Sequence, residues 1–184
     1  MSLYTQEKVL SDEEIQEAID LSKSLKWKDV YQQYNLFHVK RADLEPSATP
    51  PRHKFIQTMA NYVKKMGVAQ LYFLRYVPGS FTRLHHDDGS ETTTITLLGD
   101  DGLKGGHSLV VDRYDERESD SPDELKQRTG HEFNNPPFGE YIVPEVVPIV
   151  KGETLSYGED LIHGVSKVLE GERLVLVMWF KDRI

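Results

Sequence analysis

The chain has 184 residues, a mass of 21.1 kDa and a net charge of −8 at pH 7, and 38% of its residues are hydrophobic. This size and composition are typical of one soluble globular domain with a buried core. The acidic balance argues against non-specific nucleic-acid binding, which needs basic patches, and the absence of cysteine excludes disulfides and thiolate metal sites.

The first 15 residues, MSLYTQEKVLSDEEI, contain no apolar stretch of the signal-peptide type, so we expect a cytoplasmic location. The longest apolar run, residues 174–180, is far too short to cross a bilayer, and we expect no membrane association. Nothing in the sequence indicates an oligomeric state.

The first third of the chain predicts two helices with an extended segment between them. Ser11 and Glu14 form a capping-box pattern, which predicts a helix from there to about residue 25. Residues 27–39 are rich in β-formers, and residues 44–52 form a Pro-rich loop. Pro51 and Gly67 bracket a second amphipathic helix. We expect both helices to pack against the outside of a sheet.

From residue 69 the pattern changes to short strands separated by turn signals. The strand candidates are residues 70–76, 81–87, 92–98, 108–114, 141–150, 153–157, 163–168 and 173–181. Eight short strands without intervening helices predict a mainly β protein with flanking α-helices, a double-stranded β-helix or jelly roll.

We expect a single domain over residues 1–184, with N-terminal helical support over about 1–67 and a jelly-roll core over about 68–184. An acidic stretch at about 115–140, poor in β-branched residues, is either a lid over the substrate or a mobile insertion.

A His-x-Asp pair follows the Pro78-Gly79 turn and occurs in two frames, His85 with Asp87 or His86 with Asp88. Residues two apart on a strand point to the same face, so one element can supply two metal ligands. The two frames point to opposite faces, and the alternation of the flanking residues does not decide between them.

His163 is the candidate for a third ligand, because it begins a predicted strand. Two histidines and one carboxylate on one side of a metal form the facial triad of non-heme iron(II) oxygenases, which leaves positions open for substrate and oxygen.

Arg173 follows His163 by ten residues and begins a strand whose same face carries Val175, Val177 and Trp179. A guanidinium on an apolar face is unfavourable unless an anion pairs with it, so a ligand carboxylate is the natural partner. The alternative is an arginine at the rim, paired with a glutamate at position 170 or 172.

Four segments occur in an order that resembles the 2-oxoglutarate- and Fe(II)-dependent dioxygenases, and within them the prolyl-4-hydroxylase-like branch. They are RYVPGSFTRLHHD, GLKGGHSLVV, VVPIVKGETLSY and HGVSKVLEGERLVLVMW, within residues 72–181. The resemblance implies the jelly-roll fold and an Fe(II) ion held by His85, Asp87 and His163. The family's usual gap of six residues from the turn glycine, here Gly79, favours His85 over His86.

The resemblance also implies 2-oxoglutarate and O2 as cosubstrates, with ascorbate as an additional candidate. Arg173 would hold the distal carboxylate of 2-oxoglutarate, and Tyr76 would hydrogen-bond within the cosubstrate pocket. Leu97 or Leu98 falls where some relatives use a tyrosine for that carboxylate. His107 stands where the family often has an acidic residue, which leaves its role open.

The implied reaction is hydroxylation of an unactivated C–H bond, with release of succinate and CO2. A prolyl residue in a peptide or protein leads by family analogy, and a free amino acid or another small molecule is also open. One alternative is a nucleic-acid demethylase of the same superfamily, which the R-Y-x-P-G segment resembles. The acidic chain lacks the arginine pair of those relatives, so we expect no nucleic-acid partner. Another alternative is a cupin-like metal-binding module without oxygenase activity, which would not need Arg173 on an interior face.

Overall fold

The computed structural model describes residues 3–45, 53–65, 67–111 and 144–182. The predicted acidic stretch at 115–140 and most of the Pro-rich loop lie outside these residues. The helices are α1 (Asp12–Ser24) and α2 (Lys54–Val63). The strands are β1 (Tyr4–Glu7), β2 (Trp27–Gln33), β3 (Leu36–Leu44), β4 (Gly67–His85), β5 (Thr92–Gly99), β6 (Lys104–Gly105), β7 (Ser108–Val111), β8 (Glu145–Val147), β9 (Thr154–Gly158), β10 (Ile162–Val165), β11 (Val168–Glu170) and β12 (Arg173–Lys181). Among the described residues, no helix is long and apolar enough to cross a membrane.

One long, bent strand joins two antiparallel halves of a curled sheet. The first half has the order β9-β5-β12-β4, and the second continues as β4-β10-β7-β8. β4 has 19 residues; its first part pairs with β12 and its last part with β10. This arrangement confirms the predicted double-stranded β-helix with flanking helices.

The sequence predicted two strands on either side of Pro78-Gly79, whereas the structure makes them parts of one strand. Gly79 has a φ of 94°, which an L side chain rarely adopts, and the Ser80 hydroxyl accepts a hydrogen bond from the Val77 backbone N–H at 2.9 Å. The turn residues therefore bend the strand and do not end it.

The N-terminal region contributes strands as well as helices. β1 pairs with β9, and β3 pairs with both β2 and β4. The β2–β3 turn has positive φ at Tyr34 and Asn35, the conformation of a tight hairpin turn. β1 is only four residues long and alternates between partly buried and exposed positions, so its sequence pattern was too short to predict it.

The two helices cover the outer face of the first half-sheet, as predicted. Their buried side chains join outward-facing residues of β4 and β12 in one apolar cluster, which includes Ile15, Ala18, Phe55, Met59, Leu71, Phe73, Leu176, Met178 and Phe180. The second helix ends at Lys64, which adopts the left-handed conformation, and not at Gly67, which begins β4. The backbone N–H groups of Lys64 and Lys65 donate to the carbonyls of Asn61 and Ala60 at 3.3 and 3.2 Å, which caps the helix before the glycine is reached.

Alternation along β12 separates this outer cluster from an inner one. Val175 and Val177 point inward and pack with Leu74 and Leu97. Arg173 is on the same inward register and is only 1% exposed. The strand pattern therefore carries a permanent cation into the interior of the fold.

Glu14 caps the first helix and also links it to the second helix. Its carboxylate accepts a hydrogen bond from the Ser11 backbone N–H at 3.0 Å, and the Ser11 hydroxyl accepts one from the Glu14 backbone N–H at 3.1 Å. The other carboxylate oxygen of Glu14 accepts from the Thr58 hydroxyl on α2. Burial opposes ionisation of Glu14, but the hydrogen bonds from Thr58 and Ser11 hold its pKa below the ordinary 4.5.

We expect Glu14→Ala to lower the free energy of unfolding by about 1–3 kcal/mol, because the cap and the contact between helices are lost together. The pKa of Glu14 is lowered in the folded state, so its stabilisation is present above about pH 4.5 and is lost as the pH falls through the folded-state value. Urea denaturation at pH 7 and at lower pH should give a difference that shrinks on acidification. Glu13→Ala, at an exposed position one residue away, is the matched control and should change stability by less than about 0.5 kcal/mol. Equal effects of the two variants would contradict the assigned role.

Candidate active site

His85, Asp87 and His163 meet at one end of the bent strand. His85 is the last residue of β4 and pairs directly with His163 on β10. Asp87 lies in the turn that follows, where its backbone carbonyl accepts a hydrogen bond from the Ser90 N–H at 3.1 Å. Candidate ligand atoms of the three side chains all lie within 4.8 Å of one another. The expectation that a single strand carries both His85 and Asp87 is wrong in detail, because β4 ends at His85 and the turn brings Asp87 back.

Hydrogen bonds at Nδ1 fix the orientation of both imidazoles. Nδ1 of His85 lies 2.6 Å from the carbonyl oxygen of Arg83, and Nδ1 of His163 lies 2.9 Å from that of Leu161. A carbonyl only accepts, so we assign the proton to each Nδ1. Both Nε2 atoms then carry lone pairs and lie 3.2 and 3.3 Å from Oδ1 of Asp87. Three electron-pair donors converge on one point.

This convergence is unfavourable unless positive charge lies between the three atoms. Burial lowers the pKa of His163 and disfavours a proton on that ring as the source of the charge. A metal ion satisfies all three donors without protonating either ring.

The spacing of the donors also fits a metal. Two ligands each about 2.1 Å from an ion lie about 3.2 Å apart when the angle between them is about 100°. The observed separations of 3.2 and 3.3 Å match this geometry. Thr93 donates to the second oxygen of Asp87 at 2.8 Å, which orients the carboxylate as an outer-shell partner would. Two imidazoles and one carboxylate with open positions are the donor set of non-heme Fe(II) sites.

The other histidine frame lies outside this cluster. His86 and Asp88 are exposed and line the cavity mouth, whereas Asp87 is buried. The lining formed by the described residues does not include His107, which is exposed. The backbone N–H of His107 donates to the Ser166 hydroxyl at 2.7 Å, and its carbonyl accepts from the Ser166 N–H at 2.9 Å. Alternation could not choose between the adjacent His85 and His86, and the spacing from Gly79 favoured His85, which is the residue that lies in the cluster.

Arg173 lies on the wall of the same cavity, which has a volume of about 530 Å³. Its Nη2 donates to the Ser108 hydroxyl at 2.8 Å, and its guanidinium carbon lies 5.2 Å from the centre of the Tyr76 ring. Burial lowers the pKa of Arg173, and the surrounding phenols of Tyr76 and Tyr157 oppose this effect. The groups that surround it are neutral hydroxyls and aromatic rings.

The alternative of a rim arginine does not fit this geometry. Glu170 forms an ion pair with Lys104 at 3.0 Å, and Glu172 lies 4.0 Å from Arg75. No ion pair within the described residues includes Arg173, so its charge lacks a protein counter-ion there. A buried cation without an anion is costly, which makes this part of the cavity complementary to a carboxylate ligand.

Further polar and aromatic side chains line the cavity. The hydroxyls of Tyr76 and Thr82 share a hydrogen bond of 2.7 Å, and Arg41 stacks on the Tyr72 ring at 3.8 Å. The sequence predicted Tyr76 here but missed Thr82, Ser108, Tyr72 and Tyr157. All four lie on predicted strands, but without the strand pairings alternation could not identify the face that lines a cavity. Leu97 packs in the inner apolar cluster and Leu98 in the outer one, so neither offers a polar group.

No protein-family model matches the sequence, and no curated protein matches it. Solved structures match over nearly the whole chain. An oxidoreductase of the 2OG-Fe(II) oxygenase family from Burkholderia pseudomallei is 13% identical, with 98% of this chain and 86% of that chain covered and a TM-score of 0.67. A prolyl-4-hydroxylase from Pseudomonas putida is 16% identical over 100% and 95% of the two chains, with a TM-score of 0.63. HygX from Streptomyces hygroscopicus, solved with nickel and 2-oxoglutarate, is 15% identical over 100% and 84%, with a TM-score of 0.66. At these identities the likeness establishes the shared fold.

We expect His85→Ala, Asp87→Ala and His163→Ala each to weaken Mn(II) or anaerobic Fe(II) binding by more than about 100-fold, because loss of a direct ligand exceeds the usual effect of an outer-shell change. Calorimetric metal titration measures this directly. His86→Ala and Asp88→Ala are matched controls one residue further along the chain and should keep nearly the original metal affinity. Weak binding in the controls and normal binding in His85→Ala and Asp87→Ala would reverse the assigned frame.

Proposed function

We propose that this protein is an Fe(II)- and 2-oxoglutarate-dependent dioxygenase that hydroxylates an unactivated C–H bond. The observation that carries the proposal is one cavity that needs two charges from its ligands. Three lone pairs at His85, Asp87 and His163 require a cation, and buried Arg173 requires an anion. A metal ion together with a dicarboxylate satisfies both requirements.

His85, Asp87 and His163 are the proposed Fe(II) ligands. The hydrogen bonds from Nδ1 of both histidines to backbone carbonyls orient the two Nε2 atoms toward one point, so the site is organised before the metal binds. When bound, Fe(II) and 2-oxoglutarate supply the activation of O2 and the oxidation of substrate, with release of succinate and CO2. The protein supplies orientation and exclusion of water.

Arg173 is the proposed contact for the distal carboxylate of 2-oxoglutarate. Ser108 holds one guanidinium nitrogen in place, and the Tyr76 ring covers the guanidinium. Because the Arg173 side chain is only 1% exposed, solvent would screen its attraction for a bound carboxylate very little. Tyr76, whose hydroxyl is engaged by Thr82, is proposed to shape this part of the cosubstrate pocket.

The proposed substrate is a prolyl residue in a peptide or protein. Tyr34 at the β2–β3 turn and Trp179 on β12 line the cavity, and both rings suit an apolar pyrrolidine in an extended chain. The likeness to the Pseudomonas putida prolyl-4-hydroxylase supports this class, whereas HygX, which has also been solved with hygromycin B, supports a small molecule. The net charge of −8 disfavours nucleic acid. The protein is proposed to act in the cytoplasm.

A metal-binding module without oxygenase activity fits the cavity less well. Such a module would use the three ligands but would leave the guanidinium of Arg173 buried without a counter-ion. That arrangement would destabilise the fold, and no bound anion would offset the cost of burying the charge. The behaviour of Arg173 therefore separates the two functions.

We expect Arg173→Met to raise the Kd for 2-oxoglutarate by about 10- to 300-fold, because a charge-assisted bidentate contact is lost while the packing volume is nearly kept. Arg173→Lys should fall between, since a point charge keeps the attraction and loses the planar fork. Titration of 2-oxoglutarate into the Mn(II)-loaded proteins measures this, and metal affinity should be unchanged. Arg75→Met, next to Arg173 across the paired strands but outside the cavity lining, is the control. An unchanged Kd in Arg173→Met would refute its role in cosubstrate binding.

We expect succinate release to rise when proline-containing peptides are added to the Fe(II)-loaded protein, and the peptide to gain the mass of one oxygen atom. The panel should include free amino acids and a methylated oligonucleotide, with His163→Ala as the inactive control. If only free amino acids stimulate succinate release, the substrate is a free amino acid and not a peptidyl residue. Stimulation of succinate release by the oligonucleotide would favour a demethylase. Absence of 2-oxoglutarate turnover under all conditions would count against the oxygenase itself.

A further inference from the structure

Two buried side-chain oxygens within the described residues have no hydrogen-bond partner, Tyr157 Oη and Thr94 Oγ1. A buried hydroxyl without a partner is destabilising, and such groups are few in folded proteins. Each one therefore needs a reason. The two differ in their surroundings, and the difference points to a ligand for only one of them.

Tyr157 lines the cavity, whereas Thr94 is not part of its lining. The Tyr157 ring packs against the ring of His163, with centroids 4.4 Å apart at an angle of 43°. Leu155 and Leu161 complete the apolar cluster around it, and the residue is 3% exposed. The ring is therefore enclosed by apolar side chains, and its hydroxyl is buried away from bulk water.

The neighbouring hydroxyls of the cavity are already engaged. Tyr76 and Thr82 bond to each other, and Ser108 accepts from Arg173. The phenolic O–H of Tyr157 is therefore an unused donor inside the cavity.

Tyr157 lines the same cavity as Asp87, His163 and Arg173, and its ring packs directly against His163. A ligand that extends through this cavity from the cluster to the guanidinium of Arg173 would meet an unused donor in the lining. Its oxygens would be acceptors, because the ligand must be an anion to pair with Arg173.

We infer that Tyr157 donates a hydrogen bond to an oxygen of the dicarboxylate bound between the His85–Asp87–His163 cluster and Arg173. The inference rests on the proposed function, with 2-oxoglutarate as that dicarboxylate. Tyr157 then contributes to cosubstrate binding, whereas His85, Asp87 and His163 supply the proposed metal ligands. The unpaired state of the free protein is relieved when the ligand binds.

The test is Tyr157→Phe, which removes the hydroxyl and keeps the ring against His163. The Kd for 2-oxoglutarate in the Mn(II)-loaded protein should rise about tenfold, equivalent to about 1.4 kcal/mol. Metal affinity should be unchanged, and the Tm of the free protein should stay the same or rise because an unpaired buried group is lost. The increase in Tm on adding saturating metal and 2-oxoglutarate should be smaller than in the original protein.

Thr94→Val is the matched control, because it removes the other unpaired hydroxyl away from the cavity. Its Tm should stay the same or rise, and its Kd for 2-oxoglutarate should not change. If a bound water satisfies Tyr157 instead, Tyr157→Phe will leave the Kd unchanged, which overturns the inference. A fall in the Tm of free Tyr157→Phe by several degrees, with weaker metal binding, would assign the hydroxyl a structural role and also overturn it. Failure of the original protein to bind 2-oxoglutarate would instead overturn the proposed function.

Discussion

The structure depends on one constraint at the site: three electron-pair donors point at the same place inside a protein. Hydrogen bonds from both Nδ1 atoms to backbone carbonyls leave the Nε2 lone pairs of His85 and His163 facing the Asp87 carboxylate. Without positive charge between them these groups repel one another, and burial disfavours a proton on His163 as its source. The double-stranded β-helix keeps them together because β4 bends and its last residue pairs directly with His163.

The same strand connects this constraint to a second one. Nine residues before His85, Tyr76 pairs with Arg173 at the start of β12, and alternation along β12 turns the guanidinium inward. One wall of the cavity thus lacks an anion, while the His85–Asp87–His163 cluster lacks a cation. The two deficits have opposite sign and lie in one cavity, so a metal and a dicarboxylate bound together relieve both. Neither deficit would persist in a fold selected for stability alone.

Local sequence signals were sufficient for much of the fold. The capping box at Ser11 and Glu14 marked the start of the first helix, because both of its hydrogen bonds are made within four residues. The bounds of β12 followed from an apolar run with an arginine at its start. The bend of β4 was missed because Pro78 and Gly79 give the same signal for a bent strand as for a turn. β1 was missed because four residues carry too little periodicity.

By itself the sequence determined which chemistry the site could hold: two histidines, one aspartate and an arginine, with no cysteine to compete for a metal. Only the tertiary structure decided how they combine. It brought His85 and not His86 against His163, because strand pairing fixes which neighbour faces inward. It also brought Ser108 to Arg173 and left the Tyr157 hydroxyl unpaired in the cavity. These contacts join residues 65 and more positions apart, and only the packing of distant strands creates them.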